Sequence, residues 1–176
     1  MKKLLGFIIS ASVLSLGGLQ AQPQQVTAPD ATASESVKVL SEKHPEKSQD
    51  IFKMDKKLSS GSENERREAI DYFAHLGGVS ILIEVLNGED DDLKVYAARS
   101  MEKIPAEELS KYKAELRQVL SESPKWVSGS EGATLHRRFL DELANLVSKS
   151  YGLPPVDSSS PQDRVVKVLA QTTEKN

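Results

Sequence analysis

Apolar residues recur every three or four positions along most of the chain beyond Ser62, a spacing typical of amphipathic α-helices. The first such segment opens with Ser62 and Glu65, which match a capping box, and stops at Gly77-Gly78. Between these two signals the pattern predicts one helix. Its buried face is expected to consist of Ala69, Ile70, Phe73 and Leu76.

The segment 79–86 (VSILIEVL) is almost entirely apolar, and its periodicity alone fits either a buried strand or a short buried helix. The polar residues Ser80, Glu84 and Asn87 lie four and three positions apart, and they would form one stripe on a helix. A strand would instead place Glu84 among buried side chains. We therefore predict a helix over this segment.

Three further helices are predicted in the central part of the chain. The first starts at Asp90–Asp92, because negative charge favours the first turn of a helix. The second follows Pro105 and runs over residues 106–121, and the third is a long helix over about residues 131–149. The first of these helices is expected to bury Leu93, Ala97, Met101 and Ile104.

The two ends of the chain differ from this helical region. Lys2 and Lys3 precede an uncharged apolar stretch over residues 4–19 and a small residue, Ala21, which is the pattern of a cleavable signal peptide. The stretch is shorter than the roughly 20 residues that cross a bilayer, so no stable membrane anchor is expected after cleavage. The sequence therefore predicts an exported protein, periplasmic or secreted.

The complete predicted organisation has five parts. Segments rich in Gln, Pro, Ala, Thr and Ser cannot bury enough apolar surface to order themselves, and they are predicted to be linkers. Ser160 and Pro161 mark the start of a last short helix. The parts are a signal peptide over residues 1–21, a flexible linker over 22–36, a helical domain over 37–152, a second linker over 153–160, and a short C-terminal helix over 161–176 whose tail is expected to fray from Thr172 onward.

An internal repeat relates two of the predicted helices. Aligning Leu58 with Leu86 also aligns Ala69 with Ala97, so that small residues match small ones and large apolar residues match large apolar ones. The other matched pairs are Glu65 with Leu93, Arg66 with Lys94, Phe73 with Met101, and Leu76 with Ile104. The long helix repeats the apolar spacing less fully, at Leu135, Phe139, Leu143 and Leu146.

The segment EDDDLKVYAARSM (residues 89–101) reads as an acidic turn followed by apolar-basic-x-x-Ala-x-x-x-apolar. In this pattern the chain resembles the HEAT-like repeat proteins of the short type. Lys94 stands where that family usually has arginine, Glu65 occupies a usually apolar position, and Phe139 replaces a small residue. The resemblance covers residues 58–120 well and extends loosely to residue 149. It implies an all-α fold, a short α-solenoid of two to three helix pairs with flanking capping helices.

The charge and composition of the chain exclude several classes of function. Removal of the predicted signal peptide takes away Lys2 and Lys3 and leaves 21 basic against 26 acidic side chains, a formal charge of −5. This negative balance argues against nucleic acid as a partner. The remaining length suits one domain. Because the chain has no cysteine, it has neither disulfides nor thiol chemistry.

The sequence offers no pattern that indicates catalysis, a metal or a cofactor. His44, His75 and His136 lie far apart and lack a second ligand at zinc spacing. The acidic run Glu89–Asp92 lacks the glycine and the distal glutamate of an EF-hand loop, and helix capping explains it better. The serines form no nucleophile elbow, and the glycines form no phosphate-binding loop. We therefore expect neither enzyme activity nor a cofactor.

Basic residues fall on helices that are equivalent in the repeat. Stacking of these helices would align a basic ridge that attracts an acidic protein partner, although solvated helix faces explain the same residues. Trp126 lies in a loop and is either a cap over the core or an interface anchor. The predicted partner-binding residues are Arg66, Arg67, Lys94, Arg99, Trp126, Arg137 and Arg138.

Together these features favour an exported protein-protein interaction module or adaptor in the cell envelope, for which no catalysis is assigned. One alternative is a structural envelope protein that forms homo-oligomers through the unpaired ends of its helical stack. The other alternative comes from the resemblance, because some short HEAT-like proteins resemble bilin lyases and related modification factors. The sequence supplies no nucleophile for such a reaction.

Overall fold

The computed structural model describes residues 33–123, 131–158 and 160–174, with the backbone alone for Glu131 and Gly132. The described part of the chain is helical and contains no strand, which confirms the predicted all-α class. A 3₁₀ turn occupies Pro45–Lys47. The helices are α1 (Glu35–Lys43), α2 (Ser48–Ser60), α3 (Glu63–Leu76), α4 (Val79–Leu86), α5 (Asp91–Met101), α6 (Ala106–Ser110), α7 (Lys113–Glu122), α8 (Glu131–Ser150) and α9 (Pro161–Thr173).

The ends of α3 and α5 follow the capping signals in the sequence. The predicted capping box opens α3, where the Glu65 carboxylate accepts a hydrogen bond from the Ser62 amide at 2.9 Å. Gly77 ends α3 with a φ of 75°, a left-handed conformation that glycine adopts with little strain. Asp90 caps α5 by accepting a hydrogen bond from the Leu93 amide at 3.1 Å. These local signals fix where each helix begins and ends.

The helices pack as three pairs: α2 with α3, α4 with α5, and α7 with α8. The second members of the pairs lie side by side, with α5 between α3 and α8. At one end α1 packs on α2 and α4, and at the other end α9 packs on α8 and α7. This arrangement is that of a short helical-repeat domain with flanking helices, as predicted.

The core runs through all three pairs. Ala69 of α3, Ala97 of α5 and Ala144 of α8 are each completely buried, and small side chains allow adjacent helices to approach closely. Phe73 and Met101, which the internal repeat matches, are also completely buried. The helix predicted over residues 79–86 is confirmed as α4, where Glu84 is exposed.

The single helix predicted over residues 106–121 is wrong, because a turn at Lys111-Tyr112 divides it into α6 and α7. The Ser110 hydroxyl donates to the Glu107 carbonyl at 2.7 Å, which competes with continued helical bonding. Leu109 of α6 and Leu116 of α7 are both completely buried. Both parts of the divided helix therefore contribute to the core.

Both ends of the domain extend further than predicted. Helix α1 begins at Glu35, inside the predicted linker over residues 22–36, and Ser34 caps it. The predicted fraying from Thr172 onward is wrong at its start, since α9 continues to Thr173 and the Thr172 side chain is completely buried. The predicted signal peptide, residues 22–32 of that linker and the last two residues lie outside the described residues.

Candidate functional site

Six of the predicted partner-binding residues lie on three adjacent helices. Arg66 and Arg67 are on α3, Lys94 and Arg99 on α5, and Arg137 and Arg138 on α8. Since α3, α5 and α8 lie side by side, the surface that these three helices form is here named the α3–α5–α8 face. Trp126, the seventh predicted residue, lies outside the described residues.

The two arginines of α3 reach toward acidic and aromatic groups. Nη1 of Arg66 lies 3.3 Å from Oδ2 of Asp90, the residue that caps α5. Nη2 of Arg67 lies 2.5 Å from Oε1 of Glu63, one turn earlier on the same helix. The Arg67 guanidinium also lies over the Tyr96 ring, 5.3 Å from its centroid. Both arginines therefore connect α3 with the region of α5.

The basic residues of α5 connect to α8 in a similar way. Nζ of Lys94 lies 3.1 Å from Oδ1 of Asp91 and 5.7 Å from the centroid of the Phe139 ring. Nε of Arg99 donates a hydrogen bond to Oε1 of Glu142 at 2.7 Å. The Lys94 side chain is 17% exposed, so it is largely covered by its neighbours. These contacts make Lys94 and Arg99 part of the packing between α5 and α8.

The charge of the α3–α5–α8 face is therefore not uniformly positive. Four of its basic residues have a carboxylate partner, which offsets their charge. Arg137 and Arg138 are exposed on α8. The predicted ridge is better described as a row of alternating charges that ends in two exposed arginines. The residue pattern did not predict this alternation, because the acidic partners of Arg66 and Arg99 are distant from them in the chain.

Asp71 forms the centre of a polar network between α3 and α5. Its Oδ2 accepts a hydrogen bond from the Tyr96 hydroxyl at 2.6 Å, and its Oδ1 accepts one from the Ser100 hydroxyl at 2.8 Å. Nζ of Lys103 lies 3.5 Å from the same Oδ1. Burial raises the pKa of Asp71, but these hydrogen bonds and the Lys103 charge outweigh it and lower the pKa overall. The carboxylate is thus held in its ionised form.

A cleft of about 610 Å³ opens where α1, α3 and α5 end. Its apolar lining consists of the buried Leu40, Ala74 and Ile104 and the more exposed Leu76 and Pro105. Its polar lining consists of Lys43, His44, His75 and Lys103 together with the acidic residues Asp71 and Glu108. This volume lies in the range of small-ligand and peptide pockets. We name it the α1–α3–α5 cleft.

The cleft brings together two histidines that the sequence analysis had treated as unrelated. His44 caps the C-terminal end of α1, and His75 lies in the last turn of α3. Nδ1 of His44 lies 3.7 Å from Oε1 of Glu46. Each histidine lies near a residue that favours the end of a helix: His44 directly precedes Pro45, and His75 lies two residues before Gly77. Sequence spacing alone could not show that these helix ends meet.

Within residues 33–123, 131–158 and 160–174, no three His, Asp or Glu side chains are grouped closely enough to hold a metal ion. None of the helices in those ranges has the length and apolar content needed to span a bilayer.

The sequence matches no protein-family model, and comparisons with curated proteins and with solved structures give no significant match. The interpretation of the site therefore depends on its geometry and chemistry.

Proposed function

We propose that the protein is an exported, HEAT-like helical-repeat module that binds another protein through the α3–α5–α8 face, with no catalysis assigned to it. The observation that carries this proposal is the side-by-side packing of α3, α5 and α8, three adjacent helices that each carry two of the predicted basic residues. Stacked repeats commonly use such a continuous surface to hold an extended partner. The signal-like pattern of residues 1–21 supports export.

The charge pattern of the face favours a partner with matching acidic groups. Arg137 and Arg138 lie exposed, and the Arg99 side chain is 49% exposed beside Glu142. Charged groups at the rim of an interface contribute to orientation and association rate more than to affinity. An alternating row would therefore fix the register of a partner, and the two arginines of α8 would supply net attraction to acidic side chains.

A direct test is recovery of the partner with the tagged protein from its native envelope fraction. Complexes are cross-linked, purified and identified by mass spectrometry against a tag-only control. The proposal predicts one protein recovered in an amount close to that of the bait. Cross-linking of the bait only to further copies of itself would favour the self-associating alternative. The absence of any cross-linked protein would count against a binding function.

Two charge-reversal variants make the test specific to the face. The bait Arg137→Glu/Arg138→Glu reverses the exposed arginines of α8. The bait Lys53→Glu/Lys56→Glu makes the same change in net charge at two exposed positions of α2. The proposal predicts that the partner is lost with the α8 variant and retained with the α2 variant. Equal recovery with both baits would remove the face from consideration.

A further inference from the structure

We propose that Asn87 is a site of spontaneous deamidation, in which its side-chain amide becomes a carboxylate at a rate set by opening of the last turn of α4. The inference does not depend on the α3–α5–α8 face, because it concerns a covalent change within one exposed turn. It gives a chemical role to the Asn87-Gly88 pair, which the proposed function does not use.

Asn87 and Gly88 lie in the exposed turn between α4 and α5. Asparagine is one of the thermally labile residues, since its side-chain amide can react with the backbone. Gly88 has no Cβ, so its backbone nitrogen can approach the Asn87 side chain closely. The pair therefore combines a reactive side chain with an unobstructed nucleophile.

The reaction needs only water as a co-reactant. The backbone nitrogen of Gly88 loses its proton and attacks Cγ of Asn87, which forms a C–N bond and closes a five-membered succinimide ring. The side-chain nitrogen of Asn87 takes up that proton and leaves as ammonia. Water then adds to either ring carbonyl and opens the ring, which gives aspartate or isoaspartate at this position.

The folded structure holds the turn in an unreactive conformation. Ring closure requires the Gly88 nitrogen to lie nearly eclipsed with Cβ of Asn87, which demands a large rotation of ψ away from the observed −5°. The Gly88 amide must also release its hydrogen bond to the Val85 carbonyl, which measures 3.0 Å. Helix ends open locally at a small cost in free energy. Opening of the last turn of α4 therefore permits the reaction without global unfolding.

The other asparagines within the described residues lack this combination. Asn64 lies in the first turn of α3 and is followed by Glu65, whereas Asn145 lies inside α8 and is followed by Leu146. Both following residues have side chains that obstruct the attack. Leu146 is also completely buried, so opening of α8 at this point would disrupt the core. The structure therefore predicts that Asn87 reacts selectively.

Deamidation places a negative charge where α4 ends. The C-terminal end of a helix is partly negative, so a carboxylate there lowers stability. Glu84, Glu89 and Asp90 add like charges close by in the chain. We expect Asn87→Asp, which has the charge of the product, to unfold at a lower temperature than the neutral variant Asn87→Gln. An equal or higher unfolding temperature for Asn87→Asp would contradict this consequence.

The reaction is tested by incubating the purified full chain in mildly alkaline buffer and following each asparagine by peptide mapping with mass spectrometry. The peptide acetyl-Val-Leu-Asn-Gly-Glu-amide gives the rate without the fold. The control variant Asn87→Gln would have to close a larger ring, which forms more slowly. Hydroxylamine, which cleaves succinimides, should cut the unmodified protein after residue 87 and leave Asn87→Gln intact.

The proposal predicts that Asn87 reacts about tenfold more slowly in the folded protein than in the peptide, because the turn must open first. The urea-unfolded protein should react as fast as the peptide, and Asn64 and Asn145 should stay intact while Asn87 reacts. The proposal is overturned if Asn87 remains unmodified in the folded protein once the peptide has reacted fully, or if Asn64 or Asn145 reacts as fast. Equal rates in the folded protein and the peptide would overturn the control by α4.

Discussion

The Tyr96 hydroxyl donates a hydrogen bond to Oδ2 of Asp71 at 2.6 Å and thereby joins α5 to α3. On the same ring, the Arg67 guanidinium of α3 makes a cation–π contact. The boundary between these helices thus combines an apolar core with specific polar contacts. Since α5 also packs on α4 and α8, a change at this boundary affects the centre of the fold.

Replacing Tyr96 with phenylalanine tests the hydrogen bond to Asp71. We expect Tyr96→Phe to lower the free energy of unfolding by about 1 kcal/mol, because the bond to a charged but partly exposed group is lost. A matched control is Tyr72→Phe, since the buried Tyr72 hydroxyl has no hydrogen-bond partner among the described residues. Urea unfolding should show Tyr72→Phe to be neutral or slightly stabilising. Equal losses in the two variants would contradict this account.

The Asp71 network also predicts a dependence of stability on pH. The folded-state pKa of Asp71 is lowered from its ordinary value of 3.8, so its contribution to stability is complete above that value. It is lost as the pH falls through the folded-state pKa. The difference in unfolding free energy between the unmodified protein and Asp71→Asn should therefore be constant near neutral pH and shrink in acid. A difference that stays unchanged down to the lowest accessible pH would argue against the network.

The buried alanines of the repeat predict a steric effect. Ala69→Leu and Ala97→Leu each insert a larger side chain into a completely buried position, and each should lower the free energy of unfolding by about 1–3 kcal/mol. Ala114→Leu makes the same change at an exposed position of α7, where an effect below about 0.5 kcal/mol is expected. Urea unfolding of the three variants measures this. If only one of the two variants is destabilised, Ala69 and Ala97 do not occupy equivalent positions in the repeat.

Substitution of Gly77 is expected to lower stability through backbone strain and not through steric clash. Its φ of 75° disfavours residues with a Cβ, whereas the space around its Cβ position is open. We expect Gly77→Ala to cost about 1 kcal/mol. Gly77→Asn should cost less, because asparagine tolerates the left-handed conformation better. Thermal unfolding compares the two variants, and an asparagine variant less stable than the alanine one would contradict the assignment.

Much of the local structure could be predicted from the sequence, because its determinants are close in the chain. The capping box at Ser62, the stop at Gly77 and the acidic start of α5 each involve residues within one helical turn. The break at Lys111-Tyr112 was missed because the apolar spacing continues across it, from Leu109 to Leu116. Periodicity shows which face is buried, but it does not show where a helix along that face is interrupted.

The candidate sites were harder to predict because they depend on contacts between distant residues. The basic residues of the face could be identified from the repeat, yet the acidic partners of Arg66 and Arg99 could not. Asp90 and Glu142 lie on other parts of the chain from the arginines that they pair with. The α1–α3–α5 cleft was not predicted, since its histidines and lysines come together only when three helix ends meet.

The central claim is binding through the α3–α5–α8 face, and the affinity of charge-reversal variants for the recovered partner tests it most directly. Arg137 and Arg138 are better targets than Arg66 or Lys94, because the ion pair of Arg66 with Asp90 and the contact of Lys94 with the Phe139 ring join neighbouring helices. Titration calorimetry would compare the unmodified protein, Arg137→Glu/Arg138→Glu and Lys53→Glu/Lys56→Glu. We predict about tenfold weaker binding for the α8 variant and unchanged binding for the α2 variant. Equal affinities of the two variants would contradict the claim.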